Sequence, residues 1–262
     1  MGRPIDVPRF GTPEALSALC TGGGLADSVE LKALLTGPAD PVAEVLTGRA
    51  APTWSIRRSY LVDTPALDLL RAGIEVRLRR RARGRYDLAV SARRAGSAPR
   101  RRTPRGGRVE VDVVPGGIWL DVEVRHEVDP RAACRAIEGA GTGADLLSPA
   151  QRVWACRGGE DTVDDRRLRE LCVHGPLVVS RVKVAAARWG LVRADLEHFR
   201  FPSGRERVEL STHCGPRDVA DTVPAFERML DERPVVCASA YRPRTAEWRD
   251  ELAPRADQDE VS

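Results

Sequence analysis

The chain has 262 residues, a formal net charge of +4, 42% hydrophobic and 31% charged residues, and only two lysines among its 42 basic residues. That length suits one large domain or two small ones with a substantial core, and the near balance of acids and bases excludes a uniformly basic nucleic-acid coat. No apolar run is long enough for a spanning helix, so no membrane partner is expected. The six scattered cysteines lack any C-x-x-C pair, which argues against a disulfide frame or zinc site and fits free thiols in a reducing cytoplasm.

In chain order, residues 1–26 are rich in Gly and Pro, lack a basic-then-apolar signal pattern and read as a poorly ordered lead-in. Period-two alternation then predicts strands near 28–35, 53–62, 73–82, 86–94, 107–114, 117–127, 176–187, 190–200 and 206–212. Helical patterns fall near 40–48, 64–72, 129–138, 148–156, 164–171 and 217–231. The span 96–106 is expected to be a basic hairpin loop, 128–172 a mostly helical insert, and 254–262 a disordered polar tail. Residues 27–253 are therefore expected to form a single domain.

The alternation has an unusual sense. One strand face repeatedly carries both signs of charge: Glu30 and Lys32, Arg58 with Tyr60, Glu75, Arg77 and Arg79, Glu110 and Asp112, Arg181 and Lys183, Glu209. An open sheet with a solvated polar face would account for any one strand. A closed barrel accounts for all of them together, because closure turns that face into an interior. Inward charges are tolerable there when paired, wet, or filled by a charged ligand. Lys32 and Lys183, the two positions that escaped a general drift to arginine, both lie on this face, where a compact ammonium can meet a phosphate oxygen.

These segments resemble the CYTH family, the triphosphate tunnel metalloenzymes, and within it an uncharacterised actinobacterial branch. The family's E-x-E-x-K strand is matched by Ser28-Val29-Glu30-Leu31-Lys32, its Y-x-D-T-P segment by Tyr60 to Pro65, and its G-x-x-x-R-x-R strand by Gly73 to Arg79. Arg108 to Gly117 and Arg207 to Thr212 extend the likeness, which covers about residues 27–250. The resemblance implies an α+β fold built on an eight-stranded antiparallel β-barrel, closed or nearly so, with flanking helices. It further implies a tunnel that holds a triphosphate or short polyphosphate with Mg²⁺ or Mn²⁺. Carried over by position, Lys32, Arg58, Arg77, Arg79, Arg181 and Lys183 would clamp phosphates, and Glu30 and Glu209 would hold metal. Glu110 or Asp112 would add a metal ligand or orient water, with Lys32 completing the catalytic set.

The chain departs from the pattern at three places. Ser28 replaces the first glutamate of the motif, which removes a carboxylate from the expected metal site. Ser91 stands where a lysine is usual, although a two-residue shift would put Arg93 there. Ser211 follows Glu209 where a second acid is common; His213 beyond it could face the same way, but as a lone histidine is read as a strand-end surface residue. The implied activity is metal-dependent hydrolysis of a triphosphate; the alternatives are binding without turnover, or adenylate-cyclase-type chemistry, which needs the same clamp. The runs Arg79 to Arg81 and Arg100 to Arg102 lack interleaved aromatics, so nucleic acid is not an expected partner. Trp54, Trp119, Trp154 and Trp189 read as core, which leaves no evident platform for a base.

Overall fold

The computed structural model describes residues 10, 11, 16, 18, 20, 26–95 and 103–252. Most of the expected lead-in, the first part of the 96–106 loop and the 254–262 tail lie outside the described residues. Ten strands form one sheet: β1 (Ser28–Thr36), β2 (Ser55–Asp63), β3 (Ile74–Arg80), β4 (Tyr86–Ala95), β5 (Arg108–Val114), β6 (Gly117–Val128), β7 (Cys172–Val184), β8 (Ala194–Arg200), β9 (Glu206–Cys214) and β10 (Val236–Cys237). Nine of them close into a barrel in the order β1-β5-β6-β4-β3-β2-β7-β8-β9, with β9 returning to β1; β10 adds two residues at the end of β1.

The barrel corrects the expected strand count from eight to nine, and one of its joints is parallel. β1 pairs β5 in parallel from Ser28 opposite Glu110 to Leu31 opposite Val113, while the other joints of the ring are antiparallel. The expected hairpin at 96–106 is also corrected. β4 and β5 both pair with β6, which lies between them, so they run in the same direction and the chain must cross back along the barrel.

The apolar face of each strand points outward, under the helices. Val29, Leu31, Val76, Leu78, Leu88, Val90, Val111, Val122, Leu196 and Leu210 belong to one continuous core with helix residues. The covering helices are α1 (Ala39–Thr47), α2 (Asp68–Arg71), α3 (Pro130–Ile137), α4 (Pro149–Arg157) and α5 (Val219–Asp231). α5 buries Val219, Val223, Phe226, Met229 and Leu230, and each large apolar side chain fully buried contributes roughly 1.5–3 kcal/mol. α4 starts at a Ser148–Gln151 capping box. The Gln151 amide also donates to the carbonyls of Leu88 (2.9 Å) and Val124 (2.8 Å), which docks the helical insert on β4 and β6.

A sixth helix, α6 (Arg244–Leu252), has no counterpart among the predicted elements, yet it shapes the interior. It crosses the end of the barrel where β3 and β6 begin. There Trp248, 1% exposed, packs among Leu61, Leu177, Val179 and Phe199. Arg207 ties α6 to β9 by donating to Glu247 at 2.9 Å. The opposite end, where β1 begins and β9 finishes, forms the mouth. No helix among the described residues is long and apolar enough to cross a membrane.

Candidate functional site

Register defines the lumen. On β1 the face carrying Glu30 and Lys32 lies opposite Asp112 of β5 and opposite His213 and Ser211 of β9. On the far wall Arg77 and Arg79 lie opposite Leu61 and Ser59 of β2 and Ala89 and Asp87 of β4. Arg181 and Lys183 on β7 lie opposite Glu197 and Asp195 of β8. Because alternate residues share a strand face, Arg57 shares that of Ser59 and the lumen. Arg58 falls on the outer face with Tyr60. This corrects the expected placement of Arg58, which only borders the cavity that Arg57, Arg77 and Arg79 line. Two adjacent arginines give alternation no way to choose, and β2 also shifts register against β7 between Ser59 and Leu61.

The centre of the lumen is a buried charge network. Lys32 Nζ lies 2.8 Å from Asp112 Oδ2 and 2.8 Å from Glu30 Oε2. Arg93 Nη2 reaches the same Asp112 oxygen at 2.7 Å. Arg93, the two-residue-shift alternative to Ser91, is therefore the cation present here. Asp112 is 1% exposed and held between two cations, so it orients Lys32 and Arg93. Burial works against the ammonium of Lys32, but the charges of Asp112 and then Glu30 raise its pKa well above the usual value.

Carboxylates gather on the β1–β5–β9 wall. Glu30, Glu110 and His213 each offer a ligand atom, and these atoms all lie within 4.8 Å of one another. His213 Nε2 is 3.1 Å from Glu30 and Nδ1 is 3.7 Å from Glu110, so His213 is part of the site and not the surface residue expected. Ser28 donates to Glu110 Oε2 at 3.1 Å, so the carboxylate missing at Ser28 is met in space by one from β5. Burial, then the charges of Glu30 and Asp112, raise the pKa of Glu110. Burial would raise Glu30 too, but the Lys32 charge and the His213 hydrogen bond hold it well below the usual range. Two carboxylates and an imidazole make a donor set suited to a divalent ion.

Glu209 does not join that group. It accepts from Arg207 at 2.6 Å and from Tyr241 at 3.2 Å, deeper in the barrel towards α6. It therefore lies apart from Glu30, whose neighbours on this wall are Glu110 and His213. Burial pushes the Tyr241 phenol up to about 12, so it remains a donor at neutral pH.

Arginines crowd the opposite wall. Arg77 and Arg79 share Glu123 at 3.7 and 3.5 Å, and Arg77 also lies 3.5 Å from Glu75. Burial, then the charge of Arg77, lower the pKa of Arg79 to about 9. Arg181 pairs with Asp195, and more distantly with Glu197 at 3.9 Å. The Nε–H groups of Arg77, Arg79, Arg93 and Arg181 are buried and make no hydrogen bond among the described residues. A cavity of about 70 Å³ opens between Arg57, Arg77, Arg79, Glu197 and Arg244. Lys183 is exposed at the rim.

In the Y-x-D-T-P segment, buried Asp63 accepts from the amides of Thr64 (2.7 Å), Leu69 (2.9 Å) and Leu70 (2.9 Å), so its work is to fix the turn into α2. Trp119 is not core: it lies on the lumen face opposite Asp112, with the Arg93 guanidinium 5.4 Å from its ring centre. Beside it a cavity of about 140 Å³ runs between Glu75, Arg93 and α6.

No family model matches the chain, and no curated protein matches it. Among solved structures it is similar to a candidate adenylyl cyclase of Hippeastrum, HpAC1, which has a dominant triphosphatase activity. That match has a TM-score of 0.56 and 17% identity over 84% of this chain and 94% of that one. A candidate adenylate cyclase of Bacillus halodurans matches with a TM-score of 0.52 and 13% identity over 83% of this chain and 93% of that one. At these identities the likeness speaks for architecture: the chain has the CYTH-type tunnel fold.

Proposed function

We propose that the protein is a phosphohydrolase that takes a triphosphate or short polyphosphate into the lumen with the help of a divalent ion. One observation carries this reading: like charges meet at two places in the interior. Glu110 lies beside Glu30, where its pKa is raised, and Arg79 lies beside Arg77, where its pKa is lowered although Glu123 reaches both arginines. A dication beside the first and a polyanion beside the second would relieve both strains. Buried arginine N–H groups without a protein acceptor support the second half.

Glu30, Glu110 and His213 are the residues that would hold the ion, which when bound supplies charge neutralisation at the phosphoryl oxygens. The protein's own part is positioning. Lys32 and Arg93, aligned by Asp112, meet the phosphate chain from one side, and Arg77, Arg79 and Arg181 meet it from the other. Water attacks the terminal phosphorus, the bond to the bridging oxygen breaks, and the guanidiniums hold the charge that develops there. Glu110 supplies the carboxylate that Ser28 lacks, which supports turnover over binding alone.

Cyclisation of a nucleoside triphosphate is a second reading, favoured by the cavity beside Trp119, which offers an aromatic face to an organic group. Phosphate and pyrophosphate release from tripolyphosphate, ATP, GTP and thiamine triphosphate, each with EDTA, Mg²⁺ or Mn²⁺, tests both. Metal-dependent orthophosphate release is expected. Pyrophosphate with cyclic nucleotide selects the second reading, and tight binding of every substrate without turnover overturns both.

A further inference from the structure

We infer that His213 is a nitrogen ligand that sets the metal preference of the lumen, favouring a first-row transition dication such as Mn²⁺ over Mg²⁺. This rests on the proposed function and narrows it to a class of metal. Three strands, β1, β5 and β9, bring Glu30, Glu110 and the imidazole within 4.8 Å of one another. Of the charged network around them, Glu110 and its cross-strand neighbour Asp121 stand apart, with no arginine or lysine within 4 Å among the described residues. Glu75, Asp112, Glu123, Asp195 and Glu209 each lie within 4 Å of an arginine or lysine, whereas the basic neighbour of Glu110 within that distance, among the described residues, is His213.

A second observation lies beside that trio. Asp112, the cross-strand neighbour of Glu30, is 1% exposed, and its Oδ2 holds Lys32 and Arg93. Its Oδ1 is shut off from solvent with no hydrogen-bond partner among the described residues. A buried, acceptor-only oxygen of this kind is costly unless something positive approaches it. Oxygen donors alone would suit Mg²⁺, which keeps an octahedral shell of oxygens and waters. An imidazole in the set disfavours so hard an ion and favours the transition series.

The test is calorimetry of the full chain with Mn²⁺ and with Mg²⁺, without substrate, on wild type, His213→Asp and His213→Ala, together with pulsed EPR of bound Mn²⁺. Wild type is expected to bind Mn²⁺ at least about tenfold more tightly than Mg²⁺ and to show ¹⁴N coupling. Loss of a direct ligand should cost no less than the roughly tenfold or more that loss of an outer partner costs. His213→Asp keeps three ligand groups, now all oxygen, loses the ¹⁴N signal and narrows the Mn²⁺/Mg²⁺ ratio. His213→Ala also loses the signal and weakens both metals. Bound Mn²⁺ without ¹⁴N coupling, or an unchanged ratio in His213→Asp, overturns the inference and leaves the phosphohydrolase reading standing. Failure of either metal to bind, alone or with tripolyphosphate, overturns both.

Discussion

Replacing Asp112 with Asn isolates the claim that the interior cations are phosphate clamps. The side chain keeps its shape but loses the charge that Lys32 and Arg93 share at 2.8 and 2.7 Å. Removing one partner of a buried ion pair typically costs about 3–5 kcal/mol, because the remaining charge is left uncompensated. Lys32 and Arg93 retain 11% and 13% side-chain exposure, so some solvent reaches them and the lower end applies. About 3 kcal/mol corresponds to a fall in Tm of roughly 6–12 °C for a chain of this size. If those two cations serve phosphate, tripolyphosphate should restore much of the loss. A ligand of the native state at a hundredfold excess over Kd adds about 2.7 kcal/mol, and the variant presents it with Arg93 unpaired and Lys32 paired to Glu30 alone. The assay is thermal unfolding of wild type and Asp112→Asn in low salt with EDTA, with and without tripolyphosphate. The expected result is a larger ligand-induced shift in the variant than in wild type. A smaller shift, or none, refutes the clamp role of Lys32 and Arg93 even if the destabilisation itself is as large as expected.

Two further outcomes separate architecture from site. Asp63→Ala should lower stability by about 2–4 kcal/mol in urea, since three amide donors lose their acceptor, while tripolyphosphate affinity of the folded protein stays unchanged. Asp121→Asn should raise Tm at pH 8 and progressively less towards pH 5. Burial, reinforced by the charges of Asp112, Glu123 and Glu75 against that of Arg93, raises the folded pKa of Asp121 from 3.8 to about 7. The ionised form is thus penalised on folding: the stability is complete below the unfolded pKa and lost as pH rises through the folded one. A Tm difference independent of pH would contradict that assignment.

The barrel was legible because its inside is polar. Glu30 with Lys32, Glu75 with Arg77 and Arg79, and Arg181 with Lys183 each repeat at two residues, and all seven share the lumen face. Alternation could not give what depends on distant pairing. The parallel joint that sets Glu110 beside Ser28 joins strands about eighty residues apart. Neither residue's local pattern carries that information, so Glu110 can be named for the site by resemblance while its place beside Ser28 cannot be read from the sequence. His213 and Trp119 are ambiguous in the sequence for a related reason: each sits near a strand end, where period two loses its grip on what is inside. α6 escaped notice because one buried tryptophan, Trp248, makes no apolar stripe.

The helix seated across one end of the barrel has a consequence for long substrates. On the proposed function, a polymer of phosphates meets the Trp248 packing across part of the far end, beside the cavity that Arg93 and Trp119 line. Entry by a terminus is then favoured over threading, and chains would be trimmed from their tips. Released fragments would have to leave before the next residue moved up, which makes departure of the product a step in the same queue as arrival.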